Sequence, residues 1–148
     1  MIDNKLEIEL GLKELSPIER VYNNPTKFNL KGIPKINQTS ELVEFVISHD
    51  GMALKQISKK LITIELCKKA VSQNGLALEY VPEKYVSEEI CNIAVNRNGR
   101  AIEFVPQNMI TKDMVKNAVT FYLGRTLVEG ERLSEWNKYP IAYIPMAL

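Results

Sequence analysis

The strongest constraint on this chain is that one 24-residue phrase is written twice in a row. Residues 63–86 read T-I-E-L-C-K-K-A-V-S-Q-N-G-L-A-L-E-Y-V-P-E-K-Y-V, and residues 87–110 read S-E-E-I-C-N-I-A-V-N-R-N-G-R-A-I-E-F-V-P-Q-N-M-I; the two agree at 10 of 24 positions. A period of this length belongs to units that cannot close a core alone and therefore stack, each covering the apolar side of the next. The hydroxyl residues that open the phrase, Thr63 and Ser87, have counterparts at Thr39 and Thr111, so four starts follow one another at an unbroken spacing of 24.

Each part of the unit has a local physical reason. The opening Thr or Ser suits a helix N-cap, and an acid stands two residues on (Glu41, Glu65, Glu89, Asp113), where a carboxylate meets the positive end of the helix dipole. Apolar residues follow at offsets three, four, seven and eight: Leu42/Val43/Val46/Ile47, Leu66/Cys67/Ala70/Val71, Ile90/Cys91/Ala94/Val95 and Met114/Val115/Ala118/Val119. That is the helical period with one stripe facing a core. Asp50-Gly51, Asn74-Gly75 and Asn98-Gly99 then predict the stop of a helix of about eleven residues, with glycine in the left-handed cap conformation. The second half, M-A-L-K-Q-I-S, L-A-L-E-Y-V-P or R-A-I-E-F-V-P, has the alternation of a strand and equally the spacing of one or two turns of α- or 3₁₀-helix. Glycine before it and proline after it favour the short helix. Alanine at a fixed offset (Ala53, Ala77, Ala101) allows close backbone approach, and Leu61, Tyr85 and Met109 close the gap to the next unit.

The flanks break the period. Residues 1–38 are expected to form an N-terminal cap and connector, with a strand-like or helical L-E-I-E-L at 6–10, a helix opened by Ser16-Pro17-Ile18-Glu19 that ends by Asn23-Asn24, and an irregular stretch over 24–38. Residues 39–120 hold the repeats (39–62, 63–86, 87–110 and the start of a fourth at 111–120), and residues 121–148 an insertion and C-terminal cap. In that last segment Gly124 falls one residue late and I-A-Y-I-P at 141–145 resembles L-E-Y-V-P, so residues 121–138 read as an insertion within the last unit or as part of its cap, with Trp136 among the sealing residues.

The phrase C-K-K-A-V-S-Q-N-G-L-A-L-E-Y-V-P-E resembles a family of tandem short helical repeats of unknown function, with the pattern A-V-x-x-N-G-x-A-L-E-Y-V-P-E. The likeness covers about residues 39–120. It implies an all-α fold, a short right-handed α-solenoid of about four helix–short-helix repeats with caps at both ends. It implies no catalytic residues.

Composition narrows the function classes. Residues 1–38 carry six basic and five acidic side chains, the units at Thr39 and Thr63 three of each, the unit at Ser87 two and three, and residues 111–148 five and four. With no block of one sign, the electrostatic footprint of a nucleic-acid binder is missing. Two cysteines, Cys67 and Cys91, lie at one repeat offset on the apolar face and predict buried reduced thiols, neither a disulfide nor a zinc site. The single histidine, His49 in S-H-D-G, stands at an offset shared with Gln73 and Arg97 and reads as exposed; three adjacent residues cannot form a convergent triad. Glu79 and Glu103 recur at one offset and read as a surface ladder pairing with Lys or Arg next door. G-R-T-L-V-E-G at Gly124 lacks the Walker lysine. No catalytic residue, cofactor or metal is expected, and no apolar run suggests a membrane span or signal peptide, so the expected location is the cytoplasm or, after delivery, a host cell's cytoplasm.

What remains is a surface. Offsets five, six, nine and ten differ between copies over a constant core, as in repeat scaffolds that present a binding face. Arg97, Arg100, Phe121, Tyr122, Arg125 and Trp136, with Lys68 and Lys69, are the candidate partner-binding residues. The expectation is a non-enzymatic scaffold that binds another protein, as an inhibitor, immunity or effector protein, with a homo-oligomer also open. The alternative is nucleic-acid or nucleoprotein binding through a ridge of Lys68, Lys69, Arg97, Arg100 and Lys116.

Overall fold

A computed structural model describes residues 17–23, 30 and 33–124, and among these residues every regular element is helical. Five α-helices occur in order: α1 Pro17–Asn23, α2 Ser40–His49, α3 Ile64–Gln73, α4 Glu88–Arg97 and α5 Lys112–Leu123. Between successive helices from α2 onward lie two 3₁₀ helices: Gly51–Gln56 and Lys59–Leu61, then Gly75–Tyr80 and Glu83–Tyr85, then Gly99–Phe104 and Gln107–Met109. Consecutive α-helices pack side by side, and the longer 3₁₀ helices pack on one another in parallel with them, so the architecture is a short all-α solenoid.

The N-caps form as their residue types require. Thr39, Thr63, Ser87 and Thr111 accept from the backbone N–H three residues on, at 3.2, 3.2, 3.4 and 3.3 Å. All sixteen side chains of the apolar stripe are buried, from Leu42 to Val119. Each large member contributes roughly 1.5–3 kcal/mol of burial free energy, and this repeated stripe supplies the core.

The joint between the two helical layers differs from the left-handed glycine cap that the sequence suggests. Asp50, Asn74 and Asn98 are the C-caps, all in extended backbone, and Gly51, Gly75 and Gly99 begin the 3₁₀ helices; the one positive φ among the described residues belongs to Gly124. Each Asx residue serves both sides. Its N–H closes the α-helix (Asn74 N to Ala70 O, 2.9 Å), and its side chain opens the 3₁₀ helix (Leu76 N to Asn74 Oδ1, 3.1 Å). Asp50 and Asn98 repeat both bonds. The glycines are required for a different reason. A Cβ on Gly75 would collide with the Ala94 carbonyl oxygen and stand 3.0 Å from Asn98 N, and a Cβ on Gly51 would meet Ala70 O and Asn74 N in the same way. Glycine is there because the next unit's backbone comes too close for any side chain.

The segment after that glycine is 3₁₀ in all three copies, which decides the strand-or-helix ambiguity in favour of the short helix. The residues after the proline, read in sequence as a mere gap, form a second 3₁₀ turn, closed by Tyr85 N to Pro82 O at 2.8 Å. The register also runs backward past Thr39. L-K-G-I-P at 30–34 aligns with L-E-Y-V-P at 78–82. Leu30 and Ile33 are buried like Leu78 and Val81, and Lys35–Asn37 is a 3₁₀ helix like Glu83–Tyr85. Residues 30 and 33–37 of the expected irregular connector therefore follow the pattern of a unit's second half. Gln38, the one buried polar side chain among the described residues, takes the place of Ile62, Val86 and Ile110. It donates to Gln56 O (3.2 Å) and accepts from Ser58 N (2.9 Å), which satisfies two main-chain groups in the first unit.

At the other end, α5 has Tyr122 where an Asx joint would stand, and it continues to Leu123 before Gly124 ends it with φ 65. The expected features at 6–10 and 141–145, and the expected insertion beyond residue 124, lie outside the described residues.

Cys67 and Cys91 are both free and fully buried. Burial pushes the Cys67 thiol from its ordinary 9.0 up to about 11, helped by the Glu65 carboxylate and opposed by Lys84; Cys91 is raised by burial and by Glu88. Two consequences are measurable. A thiol reagent at pH 8 should leave both cysteines unmodified until denaturant is added. Stability should also depend on alkaline pH. The folded state holds the protons more tightly than the unfolded one, so the thiol contribution is fully present below pH 9.0 and is lost as pH climbs through about 11. The melting temperature should therefore fall across that window, and Cys67→Ala with Cys91→Ala should flatten the fall.

Candidate functional site

The variable offsets five, six, nine and ten lie along the face of the α-helices opposite the core, and the side chains there are exposed or half-buried in every unit. This follows from the helical period: with three, four, seven and eight facing inward, the remaining offsets can only face out.

The candidate residues divide into distinct environments. Lys68 Nζ lies 2.8 Å from Glu89 at the seam between α3 and α4, in a largely exposed ion pair of the kind worth well under 1 kcal/mol. Arg97 Nε donates to the Gln73 carbonyl at 3.2 Å, and Gln73 Nε2 donates to the His49 carbonyl at 3.2 Å. Offset ten is thus a two-rung ladder in which the last side chains of α3 and α4 each cap the final turn of the helix before them. The Arg97 charge also suits that end of the dipole. Both bonds span 24 residues, one period. Lys69 is exposed on α3.

Arg100, Phe121 and Tyr122 come together where Gly99–Phe104 meets α5. Tyr122 Oη donates to Glu103 Oε1 at 3.0 Å. Burial raises the Tyr122 hydroxyl above its ordinary value, the Glu103 carboxylate adds to this, and Arg100 opposes it. Glu103 is held by that phenol, where a Lys or Arg ladder was expected; among the described residues the ion pair is Lys68–Glu89. Phe121 is 49% exposed, its Cβ set against Gly99, with its ring 5.9 Å from Tyr122 edge to face. Arg125 and Trp136 lie outside the described residues. In the alternative ridge, Lys68 and Arg97 are committed to Glu89 and Gln73, and Asn117 beside Lys116 donates to Asn96.

A second aromatic group was not singled out from sequence. Tyr22 of α1 packs on Phe45 of α2 with ring centroids 4.8 Å apart, and Phe45 lies 4.7 Å from the exposed His49 ring. His49 Nδ1 donates to the Phe45 carbonyl at 2.8 Å. The i, i+4 spacing of Phe45 and His49 was the available signal; the contribution of Tyr22 from a separate helix was not readable. The helical face therefore carries aromatic rings at both ends, with mostly polar residues and Ile93 between them.

Among the described residues no group of three or more His, Cys, Asp or Glu side chains could hold a metal ion, and no helix is long and apolar enough to cross a membrane. The fold is that of an all-helical repeat protein. A family model described as "domain of unknown function (DUF4116)" matches residues 39–86 and again, one period later, residues 63–110, together 72 of the 148 residues. Over that span the chain is similar to a repeat family of unknown function. No curated protein and no solved structure matches it.

Proposed function

We propose that this chain is a non-enzymatic helical-repeat scaffold that binds another protein through the exposed face of α2–α5. The observation that carries the reading is the contrast between a core that stays apolar at the same four offsets in every unit and an outer face that changes in character from unit to unit: Glu44/Phe45, Lys68/Lys69, Asn92/Ile93, Lys116/Asn117. Aromatic rings stand at both ends of that face, Tyr22 at 46% and Phe121 at 49% exposure, in the manner of interface anchors. The narrower form is an inhibitor, immunity or effector protein that blocks a larger enzyme. It fits a repeat array that presents a variable outer face over an apolar core.

Affinity capture with the full chain from its native host, or from the target of a mobile element, tests this. One protein should be retained above background. Retention should fall at least about tenfold in Lys69→Glu with Phe121→Ala, while the melting temperature stays within about 2 °C, as expected for exposed positions. Unchanged capture would reject this face, and an absence of any retained protein in both hosts would reject the protein-binding reading.

A further inference from the structure

The other face of the solenoid, formed by the 3₁₀ helices, has a charge pattern that the balance within each unit conceals. In the first unit every acid (Glu41, Glu44, Asp50) lies on α2 or its C-cap, and every lysine lies on the 3₁₀ side, so residues 51–62 contain three lysines and no acid. One period later the same rows change sign. Lys55 becomes Glu79, and Lys59 becomes Glu83; all four side chains are exposed, and no ion pair joins Lys55 to Glu79 or Lys59 to Glu83. Lys84 is a basic residue in the acidic half, and its Nζ lies 4.5 Å from the Tyr85 ring centroid.

We infer that this edge binds a second copy of the chain, antiparallel, about a two-fold axis at the seam between the first and second units. That axis brings Lys55 and Lys59 of each protomer to Glu79 and Glu83 of its partner, and leaves Lys60 facing Lys84 in the third charged row. An isologous contact needs a surface complementary to its own rotated copy. A sign change at one seam, in two of the three charged rows, meets that requirement. A nucleic acid laid along the edge would gain from the lysines only to be repelled by Glu79 and Glu83. With stacked helices about 8–10 Å apart, four units give a contact about 40 Å long and one turn wide. That is the low end of specific interfaces, the size of a reversible contact.

The inference is independent of the protein-binding face, which the following substitutions leave intact. Sedimentation velocity of the full chain, from about 1 to about 300 µM, should show a reversible monomer–dimer equilibrium, roughly tenfold tighter at about 0.03 M than at about 0.5 M salt. Lys55→Glu with Lys59→Glu should be monomeric, and so should Glu79→Lys with Glu83→Lys. An equimolar mixture of the two variants should form a heterodimer, because each half of one then faces its opposite on the other. A chain that stays monomeric, a dimer indifferent to the charge variants, or two variants that fail to combine would each overturn the proposal. So would retention of an oligo-dT strand that is lost in the Lys→Glu variant and not recovered in the mixture, which would assign the edge to a polyanion.

Discussion

Gly75→Ala should lower stability by about 3 kcal/mol and the melting temperature by about 10 °C. The sign is the informative part. Gly75 lies at the start of a 3₁₀ helix without a positive φ, and in such a conformation alanine ordinarily stabilises by about 0.4–1 kcal/mol, because it restricts the unfolded chain. Here the added methyl group would drive into the carbonyl oxygen of Ala94 and the main chain at Asn98. Those atoms are backbone of α4 and its C-cap, held by the Asn98 N to Ala94 O bond at 2.9 Å, so no rotamer change can relieve the clash. The second and third units must move apart, and contacts along the whole seam weaken. Gly124 provides the control. Its φ is 65, but nothing lies within 4 Å of a Cβ built there, so Gly124→Ala should cost only about 1 kcal/mol of backbone strain. Thermal denaturation of the two variants side by side discriminates the two roles; equal losses would mean that the second and third units pack less closely than described.

Ile90→Ala should cost about 3–4 kcal/mol, at the upper part of the range for such truncations. Ile90 is fully buried on α4, which packs against α3 and the Gly75–Tyr80 helix on one side and α5 and the Gly99–Phe104 helix on the other. With neighbours on both sides, the site cannot collapse into the space left behind, and the residual cavity adds to the lost transfer free energy. Ile90→Val, which removes one methyl group, should cost about 1 kcal/mol. Chemical denaturation checks both, and an Ile90→Ala loss below about 1.5 kcal/mol would mean that the core rearranges freely.

Much of the fold was legible because the information is local and periodic. The Thr/Ser caps, the four-position stripe and the buried cysteines depend only on neighbours within one helix. The spacing of 24 then multiplied each reading by the number of copies. What could not be read depends on the adjoining unit. Asn-Gly is the same dipeptide whether glycine supplies a left-handed cap or a flat place for a neighbour's carbonyl, and only the position of Ala94 beside Gly75 separates the two. Leu30 to Pro34 matched the repeat all along, but the helix before it shares too little with the others for alignment to reveal it. On the candidate face, Lys68 and Arg97 have the residue types of interface anchors, yet their partners Glu89 and Gln73 lie 21 and 24 residues away. A side chain that caps a distant carbonyl and one that awaits a partner look the same in sequence.

The offset-ten ladder runs in one direction only. The His49 carbonyl is met by Gln73, and the Gln73 carbonyl by Arg97; the hollows at Gly51 and Gly75 are filled by α3 and α4. Every unit is completed by the one that follows it. On the ribosome this means that a unit leaving the exit tunnel must wait for the next 24 residues, roughly 1–5 s of synthesis, before its last turn and its glycine joint are closed. Folding during translation should thus trail synthesis by one unit throughout. A chain halted after Asn98 would keep its first two units closed but leave the third ajar.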